Sequence, residues 1–251
     1  MQQVNLSKAD SKILAQVFDP ESGPAKAEVI VDPSLPADRH ILDAQLLQDL
    51  KTREASAIRL IEDFERSSTQ TPQAKDDTFK SALALLDDIV TECPEYASAR
   101  NNRAQLRRWR FGDRSLLVRK RSSFNLNSLK SDGQKAVADL QRSITLASPA
   151  RPQDAVSPAR GRLLALAHTQ LGAIYLAASR DMDQDADSGA EFESFQGWSK
   201  DSFEEEASRM FFLGGLYGNE VAKALAVHTN PHAKMCGNIV QEAMRKEMAQ
   251  A

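Results

Sequence analysis

Apolar side chains recur at helical spacing along most of the chain after residue 41. The clearest case is the segment 78–92, whose apolar residues share one face of a helix: Phe79, Ala82, Leu83, Leu86, Ile89 and Val90. A period near 3.6 residues is the primary sequence signal for an amphipathic helix. It predicts helices at 41–64, 78–92, 97–110, 133–147, 158–179, 201–217, 220–228 and 232–249. The sequence therefore predicts an all-α fold.

Polar and proline-rich stretches separate these helices. Residues 20–38 contain four prolines and predict an extended linker after a short leader helix. Residues 29–31 are apolar and β-branched, but no partner strand is evident, so we predict a loop there. We also predict interhelical loops at 65–77, 112–131 and 180–200. The chain then divides into a leader and linker, 1–40, and a helical domain, 41–251.

The predicted helices fall into pairs that share a pattern of small and large residues. In the first pair, the second helix carries Ala82 and Leu86 and is followed by Pro94. In the third pair, Leu171 and Gly172 precede Tyr175 in the first helix. The corresponding positions elsewhere in the pairs are Ala104, Ala136, Leu140, Ala207 and Phe211.

This pattern is typical of the tetratricopeptide repeat (TPR), in which two antiparallel helices meet at small residues. We predict a TPR-type α-solenoid of about three helix pairs plus a C-terminal capping helix, with units at 46–95, 96–148 and 158–219 and the cap at 220–251. Each predicted pair is longer than the 34-residue repeat. The surplus lies in loops, where insertions cost little because closure entropy grows only logarithmically with length.

Composition and charge limit the classes of function. The chain has 251 residues and a net charge of −3, so as a whole it has no strong attraction for nucleic acid or anionic lipid. It has no apolar run long enough to span a membrane and no secretory signal at its start. Two cysteines, Cys93 and Cys236, cannot build a disulfide framework. We therefore expect a cytoplasmic or nuclear protein that is not secreted.

Many TPR domains bind an acidic C-terminal tail through five Lys, Asn and Arg positions. Only Asn102 matches that clamp here; the other four positions hold Glu54, Ile58, Leu166 and Gln170. We therefore do not expect the full clamp in this chain. The alternative role of Asn102, a hydrogen bond between helices, is the one we favour.

The segment 103–121 is rich in basic residues: Arg103, Arg107, Arg108, Arg110, Arg114, Arg119, Lys120 and Arg121. It is a candidate site for an acidic peptide or phosphate. The alternative, which we favour, is a solvated helix face whose cations pair with acids of the same chain. We predict that a partner contacts the first helices of the units, at Asn102, Arg103, Gln105, Arg107 and Arg108, with Arg110 and His168 on the same concave face.

The candidates for metal binding and catalysis are weaker. Asp181, Asp183, Asp185 and Asp187 resemble the start of a calcium loop, but Ala186 and Phe192 stand where Gly and Glu are needed. His232 and Cys236 are four residues apart and lack a second ligand pair. No phosphate-binding loop, nucleophile elbow or HExxH motif is present. We predict no cofactor and no enzymatic activity.

Three segments together resemble the tetratricopeptide repeat protein 36 family. They are ILAQVFDP at 13–20, ECPEYASARNNRAQLRR at 92–108, and TNPHAKMCGNIVQEAM at 229–244, which contains Pro231 and Cys236. The resemblance implies a TPR adaptor, with links to Hsp70-type chaperone binding and to the control of tyrosine catabolism.

Two hypotheses follow. The first is a non-enzymatic scaffold that binds a peptide segment or helix of another protein, with a chaperone as one partner implied by the resemblance. The second is a regulatory or stabilising partner of a metabolic enzyme, for which the resemblance implies tyrosine breakdown.

Overall fold

A computed structural model describes residues 29–114, 116–118, 126–183 and 195–230. Within these ranges the chain forms seven α-helices. They are α1 (Ala44–Arg66), α2 (Pro72–Glu92), α3 (Ala97–Phe111), α4 (Leu126–Ala147), α5 (Pro158–Asp183), α6 (Lys200–Leu216) and α7 (Glu220–Thr229). The prediction of an all-α fold is confirmed. The leader helix before Pro20 and the helix predicted at 232–249, with Pro231 and Cys236, lie outside the described residues.

Each helix packs mainly against its neighbours in sequence, and α3 also contacts α5. One apolar core is formed by α1, α2 and α3 around Leu50, Leu86 and Ile89. A second and larger core lies among α4 to α7 around Tyr175 and Phe211. Packing between neighbours in sequence explains why long interhelical connections are tolerated.

Several helices begin earlier than the apolar pattern predicted. The predicted loop 65–77 is too long, because α2 begins at Pro72, where proline has no helical N–H to lose. The Thr71 hydroxyl caps this helix by accepting from the Ala74 N–H at 3.1 Å. Helix α6 begins at Lys200, one residue before the predicted start at 201, and Ser199 is its cap. The first turns of these helices are polar, so the apolar periodicity of the sequence did not predict that they are helical.

Two other predicted loops are shortened for the same reason. Helix α4 begins at Leu126, inside the predicted loop 112–131, and α5 extends to Asp183, inside the predicted loop 180–200. The last turn of α5 is polar, so the apolar pattern ended before the helix did.

The linker is not wholly unpaired, which corrects the prediction of a loop at 29–31. Val31 forms an isolated parallel bridge with Val156, in the connection between α4 and α5. The Asp32 N–H donates to the Val156 carbonyl and the Val156 N–H donates to the Ile30 carbonyl, both at 2.9 Å. Val156 is a single bridging residue in a proline-containing connection, so the sequence has no alternating apolar pattern there that would predict a strand.

The predicted repeat positions lie where helices meet closely. The four small residues are fully buried: Ala82, Ala104, Ala136 and Ala207. The larger residues are also buried: Leu86, Leu140, Leu171, Tyr175 and Phe211. A Cβ on Gly172 would lie 2.9 Å from the Phe211 ring, which places α5 and α6 in close contact. Pro94 follows Cys93, the C-cap of α2.

In the part of the chain that the structure describes, none of the helices has both the length and the apolar character needed to cross a bilayer.

Candidate interaction groove

A groove of about 480 Å³ lies between α1 and α3. We call it the α1–α3 groove. Its lining residues are Ala57, Ile58, Ile61, Glu62, Glu65, Arg66, Leu86, Asn102, Gln105, Leu106 and Trp109. Two predicted contact residues, Asn102 and Gln105, therefore lie in one groove.

The floor of the groove is apolar and its walls are the two helices. Ala57 and Leu106 are buried there, whereas Ile58 remains 40% exposed. Exposed apolar surface inside a concave site is what a partner side chain can cover with a gain in free energy. The groove can therefore hold an apolar side chain.

The two walls run in the same direction, because contacts advance together along both helices. Near the start of α3, Asn102 meets Glu54 of α1. Near its end, the Trp109 indole N–H donates to a carboxylate oxygen of Glu65 at 2.7 Å. The C-termini of α1 and α3 therefore lie at the same end of the groove.

Trp109 forms the aromatic wall at that end. Its ring meets Phe64 edge to face, with the centroids 5.5 Å apart. The Lys75 ammonium lies 4.8 Å from the ring centre, within the range of a cation–π contact. These contacts fix the indole, and the indole in turn fixes the position of the Glu65 carboxylate.

Glu54 is a buried carboxylate beneath the groove, only 5% exposed. It accepts from the Tyr96 hydroxyl at 2.6 Å and from the Asn102 side-chain amide at 2.8 Å. Burial raises the pKa of Glu54, and its hydrogen bonds, first that from Tyr96, partly oppose the rise. Asn102 thus makes the hydrogen bond between helices that the sequence favoured, and an acid occupies a position where the TPR clamp needs a cation or an amide.

The predicted basic patch on α3 is held by acids of the same chain. The Arg103 guanidinium donates to both oxygens of Asp139 at 2.6 and 2.8 Å and to Asp87 at 2.7 Å. Arg107 donates to Asp139 at 2.6 Å and to Asp132 at 3.2 Å. Arg107 is 4% exposed and Asp139 is 3% exposed. Arg107 is therefore enclosed between α3 and α4, where a partner cannot contact it.

The remaining described arginines of the patch are also engaged. Arg108 donates to both oxygens of Asp113 at 2.6 and 2.8 Å, and to the Gln170 amide oxygen at 3.1 Å. Arg110 donates to Asp76, and Arg114 pairs with Asp181. Arg119, Lys120 and Arg121 lie outside the described residues. The alternative expected from the sequence, cations paired within the chain, describes these arginines.

His168 does not line the groove with Asn102 and Gln105, contrary to the prediction of a shared face. It is buried between α5 and α6, with its ring stacked on that of Tyr217 at a centroid distance of 6.1 Å. Burial, with a smaller effect of Arg209, lowers the pKa of His168 to about 4. The helical period placed His168 on α5, but could not decide which way it faced.

The candidate metal ligands are not assembled in the described chain. Asp181 is buried in the last turn of α5, and Asp183 is the final residue of that helix. Asp185, Asp187, His232 and Cys236 lie outside the described residues. Within the described ranges, no three His, Cys, Asp or Glu side chains come together as a metal site would require.

Sequence reasoning missed several residues that shape the groove, chiefly Ile61, Glu62 and Glu65 of α1. Their signal was present, since Ile58, Ile61, Glu62 and Glu65 recur at the three- and four-residue spacing of one helix face. That face was not distinguished from the one against α2, because both carry apolar residues.

Comparison with known proteins places the chain among two relatives. It is 40% identical over 253 residues to the L-tyrosine degradation gene cluster protein hmgX of Aspergillus fumigatus, across 97% of this chain and 94% of that protein. It is 23% identical over 240 residues to Tetratricopeptide repeat protein 36 of Danio rerio, across 96% of this chain and 94% of that protein. No protein-family profile matches the chain, and no solved structure matches it. With such identity over nearly its whole length, the chain belongs to the family of the L-tyrosine degradation gene cluster protein hmgX.

Proposed function

We propose that this chain is a non-catalytic, TPR-like binding protein whose α1–α3 groove holds a peptide segment or helix of a partner protein. One observation carries the proposal: the apolar floor between α1 and α3 is exposed to solvent, while the polar side chains beneath it already form hydrogen bonds with each other. Ile58 is 40% exposed there, while Glu54 and Asn102 satisfy each other beneath the groove. A partner side chain can thus bind without breaking an existing contact.

We propose that the partner acts in L-tyrosine degradation. The support is the name of the relative hmgX, a protein of an L-tyrosine degradation gene cluster, over almost the whole chain. A chaperone partner, implied by the resemblance to the tetratricopeptide repeat protein 36 family, would need a contact other than the carboxylate clamp. Glu54 and Ile58 occupy two clamp positions, and Glu54 would repel an acidic tail.

The same relative favours a second function, in which the chain stabilises or regulates one enzyme of that pathway rather than bridging two proteins. The two functions differ in a measurable way. A stabiliser changes the half-life of its enzyme when it is deleted, whereas a scaffold leaves each half-life unchanged and alters only which proteins are found together.

A pair of matched variants tests the binding function. Ile58→Ser removes an apolar contact of the groove, whereas Leu60→Ser removes a side chain of α1 with nearly the same exposure, 37%, outside the groove lining. The tagged protein is purified from cells degrading L-tyrosine, and its companions are quantified by mass spectrometry. We expect one enzyme of the pathway to accompany the wild type and Leu60→Ser, and to be reduced with Ile58→Ser.

Equal recovery with both variants would contradict the groove as the binding site, and recovery of no pathway protein would contradict the proposed partner. Circular dichroism of both variants establishes that each is folded. The non-catalytic role is tested by assaying the purified chain alone on intermediates of L-tyrosine degradation. We expect no turnover above that of a denatured sample.

A further inference from the structure

The charges of α3 and those of the α1–α3 groove differ in how they are satisfied. The arginines of α3 are engaged within this chain. Arg100 donates to the Pro94 carbonyl, and the other four donate to acids, including a bidentate pair between Arg108 and Asp113. A guanidinium bound on two edges has few donors left for an acidic partner. The cations of α3 are therefore poor recognition elements for an anion.

The groove rim, in contrast, carries an acid with no cation. Glu65 is exposed at the end of α1 and accepts from the Trp109 indole at 2.7 Å. Among the described residues no ion pair to Glu65 is formed, whereas Glu62 is paired with Arg66 at 2.9 Å. Because the indole is neutral, the hydrogen bond orients the Glu65 carboxylate without forming an ion pair.

The backbone contributes partial charges of both signs at this end. The C-termini of α1 and α3 carry partial negative charge there, and the N-terminus of α2, whose first turn holds Lys75, carries partial positive charge. The groove lining itself holds two acids, Glu62 and Glu65, against one cation, Arg66, and an apolar floor begins within the same groove.

From this arrangement we propose that the groove selects a basic amphipathic segment: apolar side chains cover the floor at Ile58 and Ile61, and a lysine or arginine pairs with Glu65. The inference rests on the proposed function and specifies its partner. It reverses the polarity of the TPR clamp, which takes an acidic tail. Glu54, an acid at one of the clamp positions, has the same sign of charge as Glu65 and also favours a basic partner.

Two synthetic peptides of about 14 residues, or four helical turns, test the charge selection. Both carry leucine at positions i, i+3, i+4 and i+7. One has lysine and the other glutamate at the remaining outer positions. Binding of each fluorescein-labelled peptide to the full chain is followed by fluorescence anisotropy. We expect the lysine peptide to bind at least about tenfold more tightly, with the preference reduced by salt, since exposed charges are screened.

Three variants locate the selection. Glu65→Gln keeps an acceptor for the indole and removes the charge, so we expect affinity for the lysine peptide to fall roughly two- to fivefold, the range for an exposed pair. Glu65→Lys should lower it further and raise affinity for the glutamate peptide. Asp88→Lys makes the same change in net charge on α2, outside the groove lining, and should alter neither affinity.

Tighter binding of the glutamate peptide, equal binding of both, or binding of neither would overturn the inference. So would a lysine-peptide affinity that Glu65→Lys leaves unchanged or that Asp88→Lys lowers equally. These failures are distinct from failure of the proposed function, which depends on recovery of a pathway protein with Ile58→Ser and Leu60→Ser and not on the sign of its charge.

Discussion

Two buried carboxylates that contact α3, Asp139 and Glu54, have opposite environments. Asp139, between α3 and α4, accepts from Arg103 and Arg107 and lies 3.6 Å from Arg100. Glu54, between α1 and α3, accepts only from uncharged donors, the first being the Tyr96 hydroxyl. Helix α3 thus has one face closed by ion pairs and another face that lines an open groove.

The two faces of α3 therefore differ in role: one holds the fold together, and the other is the surface at which we propose that a partner binds. A charge buried among opposite charges is costly to disturb, so the α3–α4 interface is fixed. The groove side carries uncharged hydrogen bonds and an open apolar floor, so its surface can accept a partner without the loss of an ion pair. Arg103 and Arg107, which look like part of a binding patch in the sequence, instead hold the two helices together.

The largest effect is expected at Asp139. Asp139→Asn removes the charge that compensates Arg103 and Arg107, and breaking a buried ion pair from one side costs about 3–5 kcal/mol. We expect the free energy of unfolding, measured by urea denaturation, to fall by that amount. Asp88→Asn, an exposed carboxylate on α2, is the control and should change it by less than about 0.5 kcal/mol. A loss of that small size at Asp139 would mean that the ion pairs do not close this face.

The indole contact at the groove rim should have an intermediate effect. Trp109→Phe keeps an aromatic ring beside Phe64 and removes the hydrogen bond to Glu65, which is worth about 0.5–1.5 kcal/mol. The free energy of unfolding should fall by that amount, and peptide binding should weaken because the Glu65 carboxylate is no longer oriented. An unchanged affinity would show that the indole does not position Glu65.

A smaller effect, with the opposite sign to that of Asp139, is expected at Glu54. Burial raises the pKa of Glu54 above its usual 4.5, so the native state binds more protons than the unfolded state in the window above pH 4.5. Stability from this group is full below that pH and is lost as the pH rises through the native pKa. Glu54→Gln should remove this dependence and gain no more than about 1 kcal/mol at neutral pH.

Urea denaturation of wild type and Glu54→Gln across pH 4–8 measures the difference directly. The two curves should converge at the acid end and separate toward neutrality. A wild type that becomes more stable than Glu54→Gln as the pH rises would mean that the native state favours the charged form of Glu54, and this would abolish the contrast with Asp139.

The smallest effect on stability is expected at Glu65. Its carboxylate is exposed, so Glu65→Gln should change the free energy of unfolding by less than about 0.5 kcal/mol while it weakens binding of a basic peptide. Stability and binding would then be separated at one residue. Loss of both together would show that Glu65 serves the fold.

The sequence predicted the all-α fold because apolar periodicity records which helix face is buried. Apolar periodicity located the centres of the helices well. The first turns of α2 and α6, which begin at Pro72 and after Ser199, are polar and show no such periodicity. The bridge between Val31 and Val156 joins residues 125 positions apart. Neither residue lies in an alternating apolar pattern that would predict a strand.

The site was predicted only in part. Asn102 and Gln105 were identified from their place on a first helix, and both line the groove. The role of Arg107 depended on where Asp139 and Asp132 would lie, which is a question of tertiary packing. Glu65 gained its position from Trp109, a residue 44 positions away in sequence. Charge partners at such separations are not visible in a single sequence.

The most direct test of the account is photo-crosslinking from two glutamines in cells that degrade L-tyrosine. A photoreactive phenylalanine replaces Gln105, which is exposed in the groove, or Gln73, which is exposed on α2 and lies outside the groove lining. The account predicts a crosslink from position 105 to a lysine- or arginine-containing segment of one pathway protein, and none from position 73. A crosslink of that protein from position 73 alone, or equally from both, would contradict the groove as the site of recognition.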